Sequence, residues 1–469
     1  MKKTIIKGGI LFSSTDTVNA DILVENDKIA QIGQKIEDSE AKIIEAAGKY
    51  IFPGFIDPHT HLDMDTGTAH TADDFVSATK GAVSGGTTTI IDFATQDKGQ
   101  SLTEALKNWH GLADNRSSCH YGFHMAITDW NETTRSELKT MKDSGVTSFK
   151  LYMAYDNLRS NDREIFEILE AVKTFGGLVS MHCENGDLVN ALIAEQKRQG
   201  RTSPAAHPLS RPDFVEAEAV NRFLALAEAA ESPVYVVHLS TERGLAECLN
   251  ARRRGQKVFI ETCPQYLLLD DSCYELEGFE SAKYVFAPPA RKPSDEKALW
   301  EAVGSGIVDT IGSDHCSFNM KGGKDLGKND FSKIPNGMPG VETRPLLMYT
   351  FGVCKNKMTL NQMAAQLSET PAKIFGMYPQ KGALKPGSDA DIVIWDPEYK
   401  GTITQKDQYQ NVDYTPYEGV KTKGRAEVVL LNGEIIVEKG RVIAENKGPV
   451  SYTHLFAICR FCHIIQMIL

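Results

Sequence analysis

Tyr50-Ile51-Phe52-Pro53-Gly54-Phe55-Ile56-Asp57-Pro58-His59-Thr60-His61-Leu62-Asp63 decides how the rest of the chain is read. The apolar run from Tyr50 to Ile56 predicts a buried strand. Side chains two apart on an extended strand point the same way. His59 and His61 can therefore aim both imidazoles at one point, as a metal site requires. Taken alone, the pattern also suits two hydrogen-bonded histidines at a strand end. The later strand ends have to decide.

Outward from this stretch, apolar runs alternate with helical periods. The runs are 50–56, 87–93, 120–127, 146–151, 176–182, 233–238, 257–262 and 307–313. Segments such as 161–174 and 212–230 between them carry apolar residues at three- and four-residue spacing. Such alternation predicts a parallel sheet covered by helices. Eight rounds between 53 and 374 fit a closed (β/α)₈ TIM barrel with insertions. A doubly wound open sheet is the alternative, but no G-x-G-x-x-G follows a strand. The glycines of 321–327 (KGGKDLG) form no phosphate loop and read as a flexible polar loop.

Residues 1–52 read as β, with strands at Thr4–Ile6, Asp21–Val24 and Lys28–Ile32 and a turn at Asn26-Asp27. The texture returns over 375–448, where Asn432-Gly433 between apolar runs predicts a type I′ hairpin. The two ends are expected to join in one β-sandwich beside the barrel. Residues 449–469 fit neither pattern and are read as an atypical end, foreign to the rest of the sequence. Cys459-Arg460-Phe461-Cys462-His463 there lacks a second ligand pair for zinc.

Of 469 residues, 41% are hydrophobic and 24% charged, as in a globular protein, and the net charge of −11 disfavours nucleic acid and anionic membrane surfaces. No apolar stretch of about 20 residues is present, so no membrane span is expected. The start has no secretory h-region or cleavage site. With nine scattered cysteines, the expectation is a cytoplasmic protein with free thiols.

In a parallel barrel, catalytic side chains project from the C-terminal ends of different strands. The first predicted strand ends in His59 and His61, the fourth in Lys150, the fifth in His182 and the sixth in His238. The eighth runs into Asp314-His315. Four of twelve histidines at such positions make a metal centre the better reading. Four histidines and an aspartate exceed one tetrahedral ion, so two divalent ions are expected. Zinc, manganese and cobalt all suit these ligands, with zinc foremost. Lys150 is then the puzzle, because an ammonium beside two dications is repelled. It is either a salt-bridged barrel lysine or a carbamate, formed from a neutral amine and carbon dioxide, that bridges both ions.

The stretch PGFIDPHTHLDM resembles the opening metal motif of the amidohydrolase superfamily. More closely, the chain resembles the dihydropyrimidinase/hydantoinase family of cyclic amidases. The matching pieces are TADDF (71–75), GGTTTIIDF (85–93), FKLYMAY (149–155), HCENGD (182–187), RP…EAEAV (211–220), VVHLS (236–240), FAPPAR (286–291), GSDHC (312–316) and PNGMPGVETR (335–344). The resemblance covers about 1–448.

It implies that His59 and His61 bind the more buried ion and that His182 and His238 bind the other. Lys150, as N6-carboxylysine, would bridge them together with a hydroxide. Asp314 would be both ligand and acid/base, and Tyr155 would stabilise the oxyanion. The backbone at Asn336 and Ala287 would grip a cyclic diamide; Ala287 stands where serine is frequent in the family. Met64, Asp65, Tyr152 and Arg159 would shape the substituent pocket, and the two charged ones could favour a polar or acidic substituent. The implied reaction opens 5,6-dihydropyrimidines or 5-substituted hydantoins to N-carbamoyl amino acids. Allantoinase and dihydroorotase are the neighbouring alternatives, and metal-free scaffold relatives a remoter one. A homotetramer or dimer is implied by the resemblance alone.

Overall fold

The computed structural model describes residues 2–451. Strands β1 Lys3–Phe12, β2 Thr17–Glu25, β3 Lys28–Gly33, β4 Lys42–Glu45 and β5 Tyr50–Pro53 open the chain. Eight parallel strands come next: β6 Phe55–Thr60, β7 Thr87–Thr95, β8 His120–Ala126, β9 Ser148–Tyr152, β10 Leu178–His182, β11 Val234–Val236, β12 Val258–Thr262 and β13 Thr310–Ile311. Strands β14 Ile392–Thr402, β15 Lys421–Leu431, β16 Glu434–Glu438 and β17 Arg441–Val442 end the order.

Strands β6 to β13 pair in sequence order, with helices such as Asp162–Lys173 and Asp213–Ala229 between them. The sheet closes on itself where Thr60 bridges His315 and the His61 N–H donates to the His315 carbonyl at 2.8 Å. Arg344, fully buried, fastens the seam from the other end. Its guanidinium donates to the carbonyls of Ile56 (3.0 Å) and Ile311 (2.7 Å) and to Thr87 Oγ1 (3.1 Å). The expected TIM barrel is therefore present, and the open-sheet alternative is not.

Strands from both chain ends form the second body, a nine-stranded mixed sheet. It encloses its own apolar core, with Ile6, Ile22, Val24, Ile51, Ile392 and Leu430 among its members. At Asn432-Gly433 both φ angles are positive (48° and 73°), as a type I′ turn requires.

Three local readings change. The run 50–56 is not one strand: Tyr50–Pro53 pairs with β1 and β14, and only Phe55 onward enters the barrel. The break falls at Gly54, where a Cβ would lie 2.0 Å from Thr88 Oγ1, so only glycine lets the chain cross that close to β7. Lys150 is the middle residue of β9 rather than its end. The 321–327 stretch is a turn leading into a short 3-10 helix, Lys324–Gly327, and it is packed, since Gly323, Lys324 and Gly327 are buried. Gly448 N donates to the Ser117 carbonyl just before β8, and Ser451 N donates to the carbonyl of Tyr121 on β8. The Cys459–His463 motif lies outside the described residues.

Candidate metal centre

The barrel strands and the loops that follow them bring the expected side chains together. Asp314 Oδ1 lies 3.1 Å from His59 Nε2 and 3.4 Å from His61 Nε2. The ligand atoms of these three residues all lie within 4.8 Å of one another, the geometry of a divalent-metal cluster. Beside them, His182 Nδ1 faces His238 Nε2 at 3.0 Å, and the His59 and His238 rings are 5.5 Å apart. Two imidazole nitrogens in such contact repel unless a proton or a cation lies between them. His59 Nε2 is buried and meets only the Asp314 carboxylate. Converging imidazoles and a carboxylate form a donor set that fits divalent ions.

Charge points the same way. Burial opposes a charge on His59, yet Glu261 and Asp314 hold its imidazole up at about 9. Burial likewise opposes ionisation of Asp314, but His59, His61 and His238 hold its carboxyl well below the usual range. His61 is pushed down to about 4 by burial and by its cationic neighbours. Two carboxylates around one imidazole thus favour a positive charge there.

Lys150 is 1% exposed, and its amine reaches rings that neighbour both groups of ligands. Its Nζ is 5.1 Å from the Phe93 ring centre, against which His59 and His61 pack, and 5.5 Å from that of Tyr152, which neighbours His182. No carboxylate among the described residues pairs with it. Burial lowers its amine to about 8, so a neutral amine is accessible near neutral pH. Three residues of the site, Tyr155, His238 and Asp314, hold positive φ (67°, 39° and 51°), a backbone strain that clusters at functional sites.

The side chains expected to meet substrate are also assembled. The Asn336 side-chain amide donates to Tyr155 Oη at 3.4 Å, and the Tyr155 ring lies 5.3 Å from that of His182. Tyr152 is buried beside them, and Met64 packs on Ala69, Cys316 and Phe318. The charges of Asp65 and Arg159 are engaged by neighbouring groups. The Asp65 carboxylate accepts from Gly67 N within its own loop (2.8 Å). Arg159 pairs with Asp187 at 2.6 Å and Asp156 at 3.1 Å.

Comparison with known proteins agrees with this geometry. The amidohydrolase family model matches residues 50–436. A D-hydantoinase of Ralstonia pickettii is 45% identical over 94% of this chain and 96% of its own. A D-hydantoinase of Geobacillus stearothermophilus is 43% identical over 94% of each chain. The crystal structure of a dihydropyrimidinase from Brevibacillus agri superposes with a TM-score of 0.96 at 41% identity, covering 97% of this chain and 99% of that one. The chain belongs to the hydantoinase/dihydropyrimidinase family of amidohydrolases.

In this amidohydrolase two carboxylates that sequence reasoning passed over complete the centre. Glu261, on β12, is fully buried and its Oε1 is 2.6 Å from His59 Nδ1. It also accepts from the His238 backbone (3.0 Å) and from Tyr235 Oη (2.7 Å). Glu184 does the same for His182, 2.9 Å from Nε2, and is itself held by the Arg211 guanidinium. Each carboxylate fixes a tautomer and leaves the opposite nitrogen to face the centre. Both sit at strand ends, in KVFIET and HCENGD; a charged residue inside an apolar strand run was the available signal for Glu261. Glu261→Gln is expected to weaken metal affinity about 10- to 100-fold. Competition against a zinc chelator measures this, and unchanged affinity overturns it.

Proposed function

We propose that the chain hydrolyses cyclic diamides, opening 5,6-dihydropyrimidine and 5-substituted hydantoin rings to N-carbamoyl amino acids. Two divalent ions, zinc foremost, would be held by His59, His61, His182, His238 and Asp314, with Lys150 as a bridging carbamate. The observation that carries this is Lys150: a fully buried lysine without a carboxylate partner, its amine reaching rings that neighbour both imidazole pairs. When bound, the ions supply a more acidic water and a polarised carbonyl.

The chain's own groups do the rest. Water adds to the ring carbonyl and the C–N bond breaks. Asp314, a carboxylate at neutral pH, accepts the proton from water and delivers it to the leaving nitrogen. Burial raises the Tyr155 phenol to about 12, so it keeps its proton and donates to the developing oxyanion. The backbone at Asn336 and Ala287 binds the diamide, and Met64, Asp65, Tyr152 and Arg159 shape the substituent pocket. Arg159 pairs with Asp156 and Asp187, which lessens the positive charge it would offer an acidic substituent. The D-hydantoinase relatives support a preference for D-5-substituted hydantoins. Among the described residues no helix is long and apolar enough to cross a membrane; a cytoplasmic homotetramer or dimer is proposed, tested by sedimentation.

Assaying dihydrouracil, hydantoin, allantoin and dihydroorotate side by side tests the substrate class. Turnover confined to allantoin or dihydroorotate would replace the reading with that of a neighbouring branch. Tyr155→Phe is expected to lower kcat by about 10²-fold, the usual loss for one oxyanion donor. A change in KM alone would remove Tyr155 from that role.

A further inference from the structure

Lys324 lies in the stretch that sequence alone reads as loose, yet its side chain is fully buried. An ammonium has three N–H donors. Here each finds a main-chain carbonyl: Val285 at 2.7 Å, Pro335 at 2.7 Å and Gly337 at 2.6 Å. No carboxylate among the described residues pairs with it. Burial opposes its charge and lowers its amine, while three carbonyl oxygens at 2.6–2.7 Å take all three protons and favour the ammonium. A methionine would fill the same volume without that cost. The charge therefore serves the geometry it enforces.

That geometry concerns two separate segments. Val285 leads directly into Phe286 and Ala287, and Pro335 and Gly337 flank Asn336. The same Val285 carbonyl also accepts the Gly337 N–H at 3.0 Å. Gly337, with φ 148°, packs so closely that a Cβ would lie 2.3 Å from the Cys316 carbonyl. Cys316 N donates to the Met338 carbonyl at 3.1 Å, which ties the assembly to the strand end carrying Asp314. Donation to the Pro335 carbonyl also polarises the adjoining Asn336 N–H, because hydrogen bonds in a chain strengthen one another.

We propose that Lys324 is a positioning residue for substrate recognition: its buried ammonium fastens the Val285–Ala287 and Pro335–Gly337 backbone segments together and sets the spacing of the groups that hold the cyclic diamide. This rests on the proposed cyclic-diamide substrate. Lys324 touches neither substrate nor metal ligands, and its loss acts on binding rather than on bond breaking.

The test uses the full-length, metal-loaded protein. Lys324→Met is expected to raise KM for dihydrouracil or hydantoin about tenfold while kcat changes less than about threefold. Hydrogen–deuterium exchange should rise about tenfold in peptides spanning 283–290 and 332–340, with 178–182 unchanged. Lys324→Gln keeps two amide donors and should fall between wild type and Lys324→Met in KM; it carries the test alone if the methionine variant does not fold. Unchanged KM in the folded variants, or a fall in kcat at constant KM, overturns the proposal. Unchanged exchange in the two peptides does so independently of any substrate. A wild-type enzyme inactive on every ring tested would instead sink the substrate reading, while the exchange result would still report on the clamp.

Discussion

Asp314→Asn lowers kcat by about 10²- to 10⁴-fold while the protein keeps most of its metal; this is the expected result, from the usual size of general acid–base catalysis. Asparagine preserves the shape and one ligand oxygen, but it cannot accept and return a proton. The backbone does not confuse the comparison. Asp314 holds φ 51°, a left-handed conformation that asparagine adopts as readily as aspartate. His59 and His61 remain in place, the former oriented by Glu261 from its other nitrogen. Steady-state kinetics on the best ring substrate, with elemental analysis of the same sample, reads both quantities. A near-normal rate would remove Asp314 from the proton transfer. A lost rate accompanied by lost metal would leave it as a ligand alone.

Lys150→Ala should strip the centre of metal and activity together. Without the side chain nothing spans the two imidazole groups, and a pair of cations there repel each other with less anionic charge to screen them. Small carboxylates such as acetate or propionate carry two oxygens on a short stem and fit the vacated space, so millimolar additions should restore both metal and turnover. Stability should change little in the Lys150→Met control, because removing an unpaired buried amine relieves its desolvation. Full metal content and full rate without any carboxylate would show that Lys150 does not bridge.

Much of this was legible from residue order. Each of the eight parallel strands falls within or beside an apolar run, because a strand buried on both faces is written as consecutive apolar residues. The metal-type side chains stand at or just beyond the ends of these runs, since barrel chemistry gathers at one end. Period-2 geometry explains why His59 and His61 face one point.

Other features needed the folded chain. Gly54 divides one apolar run between two sheets because β7 passes too close for any side chain there. Glu261 reads as an anomaly in a strand until His59, 202 residues earlier in sequence, is seen beside it. Asp65 and Arg159 look like free charges in sequence, yet Asp65 is engaged within its own loop and Arg159 is paired with Asp156 and Asp187.

The sequence by itself determined the barrel, its helical cover, the joined chain ends and the list of groups able to bind metal, because all of these come from local periodicity and residue chemistry. The tertiary structure alone decided which carboxylates orient those imidazoles and that a lysine in a glycine-rich loop is buried among three carbonyls. Such contacts join residues far apart in the chain, and no local pattern encodes a distance between them.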